Sequence, residues 1–222
     1  MSELVTVDAA GLLFDMDGVL VSSIASAVRC WRQWAAEYGV ADAGKVEIPH
    51  GVPARDIARL LVPGIDVEVG LRRIEDMEIA DVSDIQVLDG ARALLESLPM
   101  ERWAIVTSAT RRLLVARLAA AKLPVPERLI SADMVRNGKP DPEPYLRGAE
   151  VLGVKAEDCV VFEDAPSGVK AGVAAGCRVV GVMGTTPAKE LREVGAGWLV
   201  PSLAAVTAEV VRGGLRLRVE AV

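Results

Sequence analysis

Two carboxylates two residues apart, Asp15 and Asp17, stand directly after the apolar run Ala10-Gly11-Leu12-Leu13-Phe14 and before Gly18. In a turn, such a pair can flank one reaction centre. One carboxylate stays ionised and attacks, and the other carries a proton as general acid and then base. A bare Asp-x-Asp is far more often an ordinary exposed turn, so it needs company. A calcium loop of the EF-hand kind is excluded, because Val19 stands where a third ligand belongs and Gly18 is out of register. Three further polar features keep it company, two of them directly after apolar runs. Thr107 and Ser108 come after Trp103-Ala104-Ile105-Val106, and Glu163 and Asp164 end Cys159-Val160-Val161-Phe162. Lys139 lies in the loop Gly138-Lys139-Pro140-Asp141-Pro142-Glu143-Pro144.

Each feature has its own chemistry and its own plain alternative. Glu163 and Asp164, with Asp15, can hold a hard cation such as magnesium, and their mutual repulsion favours one. They would also suit the N-terminus of a following helix. A lysine fixed by three prolines can neutralise a nucleophile and a phosphate oxygen, although most loop lysines are merely solvated. The hydroxyls and backbone N–H groups of Thr107 and Ser108 can cradle phosphate, or simply cap a helix.

These residues share one edge only if the elements between them allow it. A further apolar run covers residues 178–182, and Leu129-Ile130 is a weaker one. Helical patterns fill residues 90–98, 111–121, 142–152, 167–175 and 188–194. Alternation of this kind predicts an α/β fold, a Rossmann-like parallel sheet covered on both faces with binding groups at the strands' carboxyl ends. Residues 22–87 break the alternation. Ile24, Val28, Trp31, Trp34 and Ala35 fall at helical spacing, residues 53–61 and 66–79 read as two more helices, and no strand is expected there. The division is therefore a sheet core of residues 1–21 and 88–222 with a helical insert of residues 22–87. Gly168, Gly172 and Gly176, spaced by four, predict a helix that approaches the sheet closely.

Composition narrows the function classes. The 222 residues are 51% apolar and 25% charged, the balance of a soluble globular protein. A net charge of -6 and the absence of a basic stripe argue against nucleic acid. The longest uncharged stretch, residues 194–208, is shorter than a spanning helix and holds Pro201, so no membrane partner is expected. With no basic leader before Arg29, the expected compartment is the cytoplasm. Cys30, Cys159 and Cys177 lack metal-type spacing and read as packed thiols. One histidine, no G-x-S-x-G, no G-x-G-x-x-G and no Walker loop disfavour serine hydrolases and nucleotide-loop folds.

Taken in order, Asp15-Met16-Asp17-Gly18-Val19, Thr107-Ser108, Lys139-Pro140 and Phe162-Glu163-Asp164-Ala165 resemble the motifs of the haloacid dehalogenase-like phosphohydrolases over essentially the whole chain. The resemblance implies that Asp15 forms an aspartyl phosphate. Asp17 would protonate the leaving alcohol and then activate water, Thr107 or Ser108 would hold the phosphate, and Lys139 would stabilise charge. Magnesium would sit on Asp15, the Asp17 carbonyl and Asp164, with Glu163 close by. Trp31-Arg32, His50-Gly51, the stretch from Trp103 to Arg111 and the loop through Tyr145-Leu146 are closest to the glycerol-phosphate and 2-deoxyglucose-6-phosphate phosphatases. The beta-phosphoglucomutases are the alternative, but they carry a histidine twelve residues after the first Asp, where this chain has Ala27. Ser22 stands where many relatives have Asp. A phosphate-binding protein with weak turnover is a third class, disfavoured because binding alone would not need Asp17. The expected partner is a small phosphorylated metabolite, with the protein a monomer or small homo-oligomer. Substrate choice is expected in the cap, at His50 and Arg55, unless Arg55 pairs with an acid such as Asp56 and His50 caps a helix.

Overall fold

The computed structural model describes residues 3–48 and 53–222. Its central sheet has six strands, all parallel, in the order β6-β5-β2-β7-β8-β9. These are β2 (Gly11–Phe14), β5 (Trp103–Val106), β6 (Leu129–Ile130), β7 (Cys159–Glu163), β8 (Arg178–Val182) and β9 (Trp198–Val200). The apolar runs form β2, β5 and β7 because a sheet buried on both faces has no polar side to show. Every residue of those three strands is buried. The alternation of side chains still sorts them. Leu12, Phe14, Ile105, Val160 and Phe162 join one core cluster. Leu13, Ala104, Val106, Val161 and Val179 join the other. Phe14 stacks on Phe162 with ring centroids 4.8 Å apart, which locks the two central strands together.

Helices α4 (Ala91–Ser97) and α5 (Arg111–Ala120) bring Leu94, Leu95, Leu113, Leu114 and Leu118 to the first cluster. Helices α6 (Glu143–Leu152), α7 (Pro166–Ala174) and α8 (Ala188–Glu193) supply Tyr145, Ala149, Val169, Ala171 and Leu191 to the second. The chain leaves β2 for β5 and β6 on one side, then returns to β7, β8 and β9 on the other. The reversal places β2 beside β7 at the switch point, where open parallel sheets form their crevice.

Among the described residues between Val21 and Val87 lie three α-helices: α1 (Ile24–Glu37), α2 (Ala54–Leu61) and α3 (Val67–Ala80). They enclose a third cluster of Cys30, Trp31, Trp34, Ala35, Ile57, Ala58, Ile74 and Met77. Trp34 is fully buried and donates its indole N–H to the Gly70 carbonyl at 3.0 Å, which satisfies the one polar atom it brings inside. The helical segment is tied off by a ribbon of β3 (Val21–Ser22) paired antiparallel with β4 (Gln86–Val87). The expectation of no strand within residues 22–87 is corrected at this point. Two-residue strands carry too little periodicity to register in a sequence.

A second correction concerns the chain ends. A three-stranded antiparallel sheet, β1 (Glu3–Ala9), β11 (Gly214–Ala221) and β10 (Val206–Val211), covers the first cluster with Val7, Leu215, Leu217 and Val219. None of these strands, nor β9, is among the sequence expectations. Among the described residues no helix is long and apolar enough to cross a membrane.

Candidate active site

Each expected core residue lies at the carboxyl edge of the sheet. Asp15 follows β2 directly, and its N–H donates to the Phe162 carbonyl at 3.0 Å, extending the pairing of β2 with β7 by one residue. The chain then turns sharply. Leu20 and Val21 donate back to the Met16 carbonyl, and Gly18 takes φ +83°. A side chain at 18 would overlap the Asp164 carboxylate, so glycine is needed here for space as well as for its backbone.

Lys139 is buried, and its three ammonium protons have three acceptors. They are Asp15 Oδ1 at 2.6 Å, Glu163 Oε1 at 2.6 Å and the Val106 carbonyl at 2.9 Å. Its ammonium also lies 4.9 Å from the centroid of the Tyr145 ring. Glu163 is saturated in turn. Oε1 also accepts from the Tyr145 hydroxyl at 2.7 Å, and Oε2 accepts from the N–H groups of Asp164 and Ala165 at 3.0 and 3.1 Å. The lysine loop is held from α6, where the Glu143 carboxylate accepts from the N–H groups of Arg136 and Asn137. Asp164 is oriented by the Thr185 hydroxyl. Thr107 is buried at the end of β5 and its hydroxyl accepts from the Ala109 N–H at 3.0 Å, whereas Ser108 is exposed.

Asp15, Glu163 and Asp164 each offer a carboxylate oxygen within 4.8 Å of the others, and all three are buried. Burial lifts the Asp15 carboxyl well above its ordinary range, and Glu163 and Asp164 push the same way against Lys139. Burial and the Glu163 charge raise Asp164 to about 7. Burial opposes the charge on Lys139, but Asp15 and Glu163 outweigh it and hold the lysine protonated. One buried cation therefore faces more negative charge than it can neutralise, and the donor set, all oxygen and all acidic, fits a hard divalent ion.

Asp17 is turned toward α5. Its Oδ2 accepts from Arg117 at 2.8 Å, and its Oδ1 is buried with no partner among the described residues. Arg117 also faces Glu78 of α3, at 3.4 Å. Burial raises Glu78 to about 7 despite the arginine. The sequence reading missed Arg117, Glu78, Thr185 and the acceptor role of Val106. A signal existed for two of them. Arg117 interrupts the buried helical face of Leu113, Leu114 and Leu118, and Glu78 interrupts that of Gly70, Ile74 and Met77.

Of the two cap residues expected to contact substrate, Arg55 is not drawn into this cluster. Arg55 is exposed on α2 and pairs with Glu68 at 3.2 Å, not with Asp56, which instead faces Arg59 at 3.7 Å. His50 lies outside the described residues. Of the three glycines, Gly168 faces the Glu163 carboxylate and Gly172 faces Val161 and Val179, both close approaches as expected. At Gly176 a Cβ would meet nothing, and the residue instead follows the end of α7 at φ +83°.

The chain belongs to the haloacid dehalogenase-like hydrolases, whose family pattern matches residues 9–176. It is an enzyme, a phosphoric monoester hydrolase. Over 189 residues it is 40% identical to hexitol phosphatase A of Escherichia coli, covering 83% of this chain and 88% of that one. It is 36% identical over 201 residues to glycerol-1-phosphate phosphohydrolase 1 of Saccharomyces cerevisiae, covering 85% and 80%. A crystal structure of a hydrolase of the same family from Deinococcus radiodurans, with bound phosphate and sodium, superposes with a TM-score of 0.68 at 29% identity, covering 88% of this chain and 92% of that one.

Proposed function

We propose that the protein hydrolyses a small sugar or polyol phosphate through an aspartyl phosphate on Asp15, with magnesium as cofactor. The observation that carries this reading is Lys139, set at 2.6 Å from both Asp15 and Glu163 at the switch point of the sheet. The named activities of the relatives supply the substrate class.

In the first step an Asp15 carboxylate oxygen attacks phosphorus, the bond from phosphorus to the ester oxygen breaks, and the departing alkoxide takes a proton from Asp17. In the second, Asp17 removes a proton from water, which attacks the acyl phosphate and returns Asp15 as carboxylate with inorganic phosphate. Lys139 holds Asp15 in place. With its three protons committed, it acts on the phosphate mainly as a fixed charge. Thr107, Ser108 and the N–H groups around them receive the phosphate oxygens at the start of α5. Asp15, the Asp17 carbonyl and Asp164 would hold the metal, and Glu163 completes the acidic group while it anchors Lys139. A divalent ion held there would offset the negative charge of the phosphoryl group. Residues 22–87 act as the cap over this edge, with residues 1–21 and 88–222 as the catalytic core, and His50 and Arg55 are carried forward as candidates for leaving-group contact. The test is a screen of phosphorylated polyols and sugars with free-phosphate detection, with and without a chelator. Full activity in the chelated samples would refute the metal requirement.

Water, not a returning sugar phosphate, is the expected acceptor. Ala27 has no hydrogen-bonding group to hold Asp17 away from water. With beta-glucose 1-phosphate, NMR should therefore show glucose and phosphate. Dominant conversion to glucose 6-phosphate would make the protein a mutase.

The raised carboxyls also predict a pH signature. In the metal-free protein Asp164 binds its proton until about 7, against an ordinary value of 3.8. Between those values the folded state holds a proton that the unfolded state has released. This contribution to stability is fully present below the lower value and is lost as pH rises through the upper one. Glu78 acts in the same direction. The melting temperature of the chelated protein should be higher at pH 5.5 than at pH 8. Magnesium should raise it more at pH 8, where Asp164 has released its proton. An equal magnesium shift at both values would contradict the assignment.

A further inference from the structure

We propose that Arg117 is a positioning residue for Asp17 and that Glu78 ties this positioning to the helical cap, an inference that rests on Asp17 being the general acid. Arg117 is the one arginine buried among the described residues, on a helix whose neighbouring positions are leucines. A buried guanidinium is retained at a cost in desolvation, so its partners indicate its use. Here they are two carboxylates from different parts of the chain: Asp17 Oδ2 at 2.8 Å, after β2, and Glu78 Oε1 at 3.4 Å, on α3.

The pairing leaves one polar atom over on each side. Arg117 Nε and Asp17 Oδ1 are both buried without a partner among the described residues. Each buried polar atom left in this state calls for an explanation. The arrangement fixes the carboxylate of Asp17 by one oxygen and keeps the other free for proton traffic. A carboxylate on a turn otherwise rotates about its side-chain torsions, and a general acid that is off line loses most of its effect.

Glu78 adds the second half. It belongs to α3, whose outer turn meets α5 through a different set of pairs. Arg112 contacts Glu75 and, at 2.9 Å, Asp76, and the Thr110 hydroxyl contacts Glu75. Arg112 is exposed, so its two ion pairs are screened and contribute little. The inner contact of Glu78 with Arg117 is shielded from water. A shift of α3 relative to α5 therefore pulls on the guanidinium that holds Asp17. Cap placement and the aim of the acid become one variable.

The test uses kcat/KM, which reports the steps through departure of the first leaving group. Glycerol phosphate has a leaving alkoxide that needs a proton, and p-nitrophenyl phosphate has one that does not. Arg117→Met and Glu78→Gln should lower kcat/KM for glycerol phosphate about ten-fold or more, and for p-nitrophenyl phosphate less than about three-fold. Arg117→Lys should recover part of the loss, and Arg112→Ala should change neither substrate selectively. Asp17→Asn serves as the reference and should show the same discrimination more strongly. If Asp17→Asn discriminates but Arg117→Met, Arg117→Lys and Glu78→Gln lower both substrates equally or not at all, the positioning role is wrong and the general acid stands. If Asp17→Asn does not discriminate, the general-acid reading fails and takes this inference with it. Should Arg117→Met not fold, Glu78→Gln and Arg117→Lys, which keep the volume of the site, decide the matter alone.

Discussion

Asp15→Asn is expected to fold normally and to turn over phosphate esters at least about 10⁴-fold more slowly than the unaltered protein. The amide oxygen is a poor nucleophile, and Glu163, the other carboxylate on Lys139, is committed to Tyr145 and to the N–H groups of Asp164 and Ala165. The fold should tolerate the change, because Asn has the shape of Asp and can still accept from the Lys139 ammonium. Burial and the charges of Glu163, Asp164 and Asp17 already raise the Asp15 carboxyl. Removing its charge relieves that repulsion. Without metal at pH 8, the variant should melt at the same temperature as the unaltered protein or higher. Its stabilisation by magnesium should shrink, since one ligand has lost its charge. Phosphate release and thermal melts with and without magnesium check both halves. Activity within ten-fold of the unaltered protein would remove Asp15 as nucleophile, and a collapse in melting temperature would show that its charge serves the fold.

The parts of this site that could be read in the sequence share one property: they sit where a buried strand stops. Leu12 to Phe14 and Val160 to Phe162 must be apolar because both sheet faces are covered, so the first acid after each run marks the sheet edge. The strands at the chain ends were harder to see. In β11 the inward residues Leu215, Leu217, Val219 and Ala221 alternate with outward ones such as Arg218 and Glu220. Its partner β1 lies some two hundred residues earlier, with Val7 opposite Leu217, and no local pattern announces such a pairing. The contacts of Arg117 were hidden for the same reason. Asp17 is 100 residues away in sequence, so a charged residue on an apolar helix face was visible in principle but its partner was not. Arg55 shows the opposite hazard. Its neighbour in sequence, Asp56, looks like its natural ion-pair partner, and the fold gives it Glu68 instead, at the surface.

Gly168→Ala is expected to lower kcat about 100-fold and to destabilise the protein by about 3 kcal/mol, although residue 168 touches neither phosphate nor metal in the proposed mechanism. Gly168 lies in the first turns of α7, directly against the end of Glu163, and a Cβ there would overlap the carboxylate. Glu163 cannot step aside cheaply. Its two oxygens accept from Lys139, Tyr145 and the N–H groups of Asp164 and Ala165, so any displacement leaves buried donors without partners. Lys139 would follow Glu163 and draw away from Asp15, to which it is bonded at 2.6 Å. The other two glycines of the series separate this effect from simple overpacking. Gly172→Ala would place its methyl 2.9 Å from a Val179 methyl, against apolar side chains only. It should destabilise by about 1–3 kcal/mol and leave kcat within about two-fold. Gly176→Ala meets nothing but must adopt φ +83°, which costs about 1–2 kcal/mol in backbone strain alone. Melting temperatures would fall in all three variants, and kcat only in Gly168→Ala. If Gly168→Ala kept full kcat at a temperature where it is folded, Glu163 would not be the residue that sets Lys139 against Asp15.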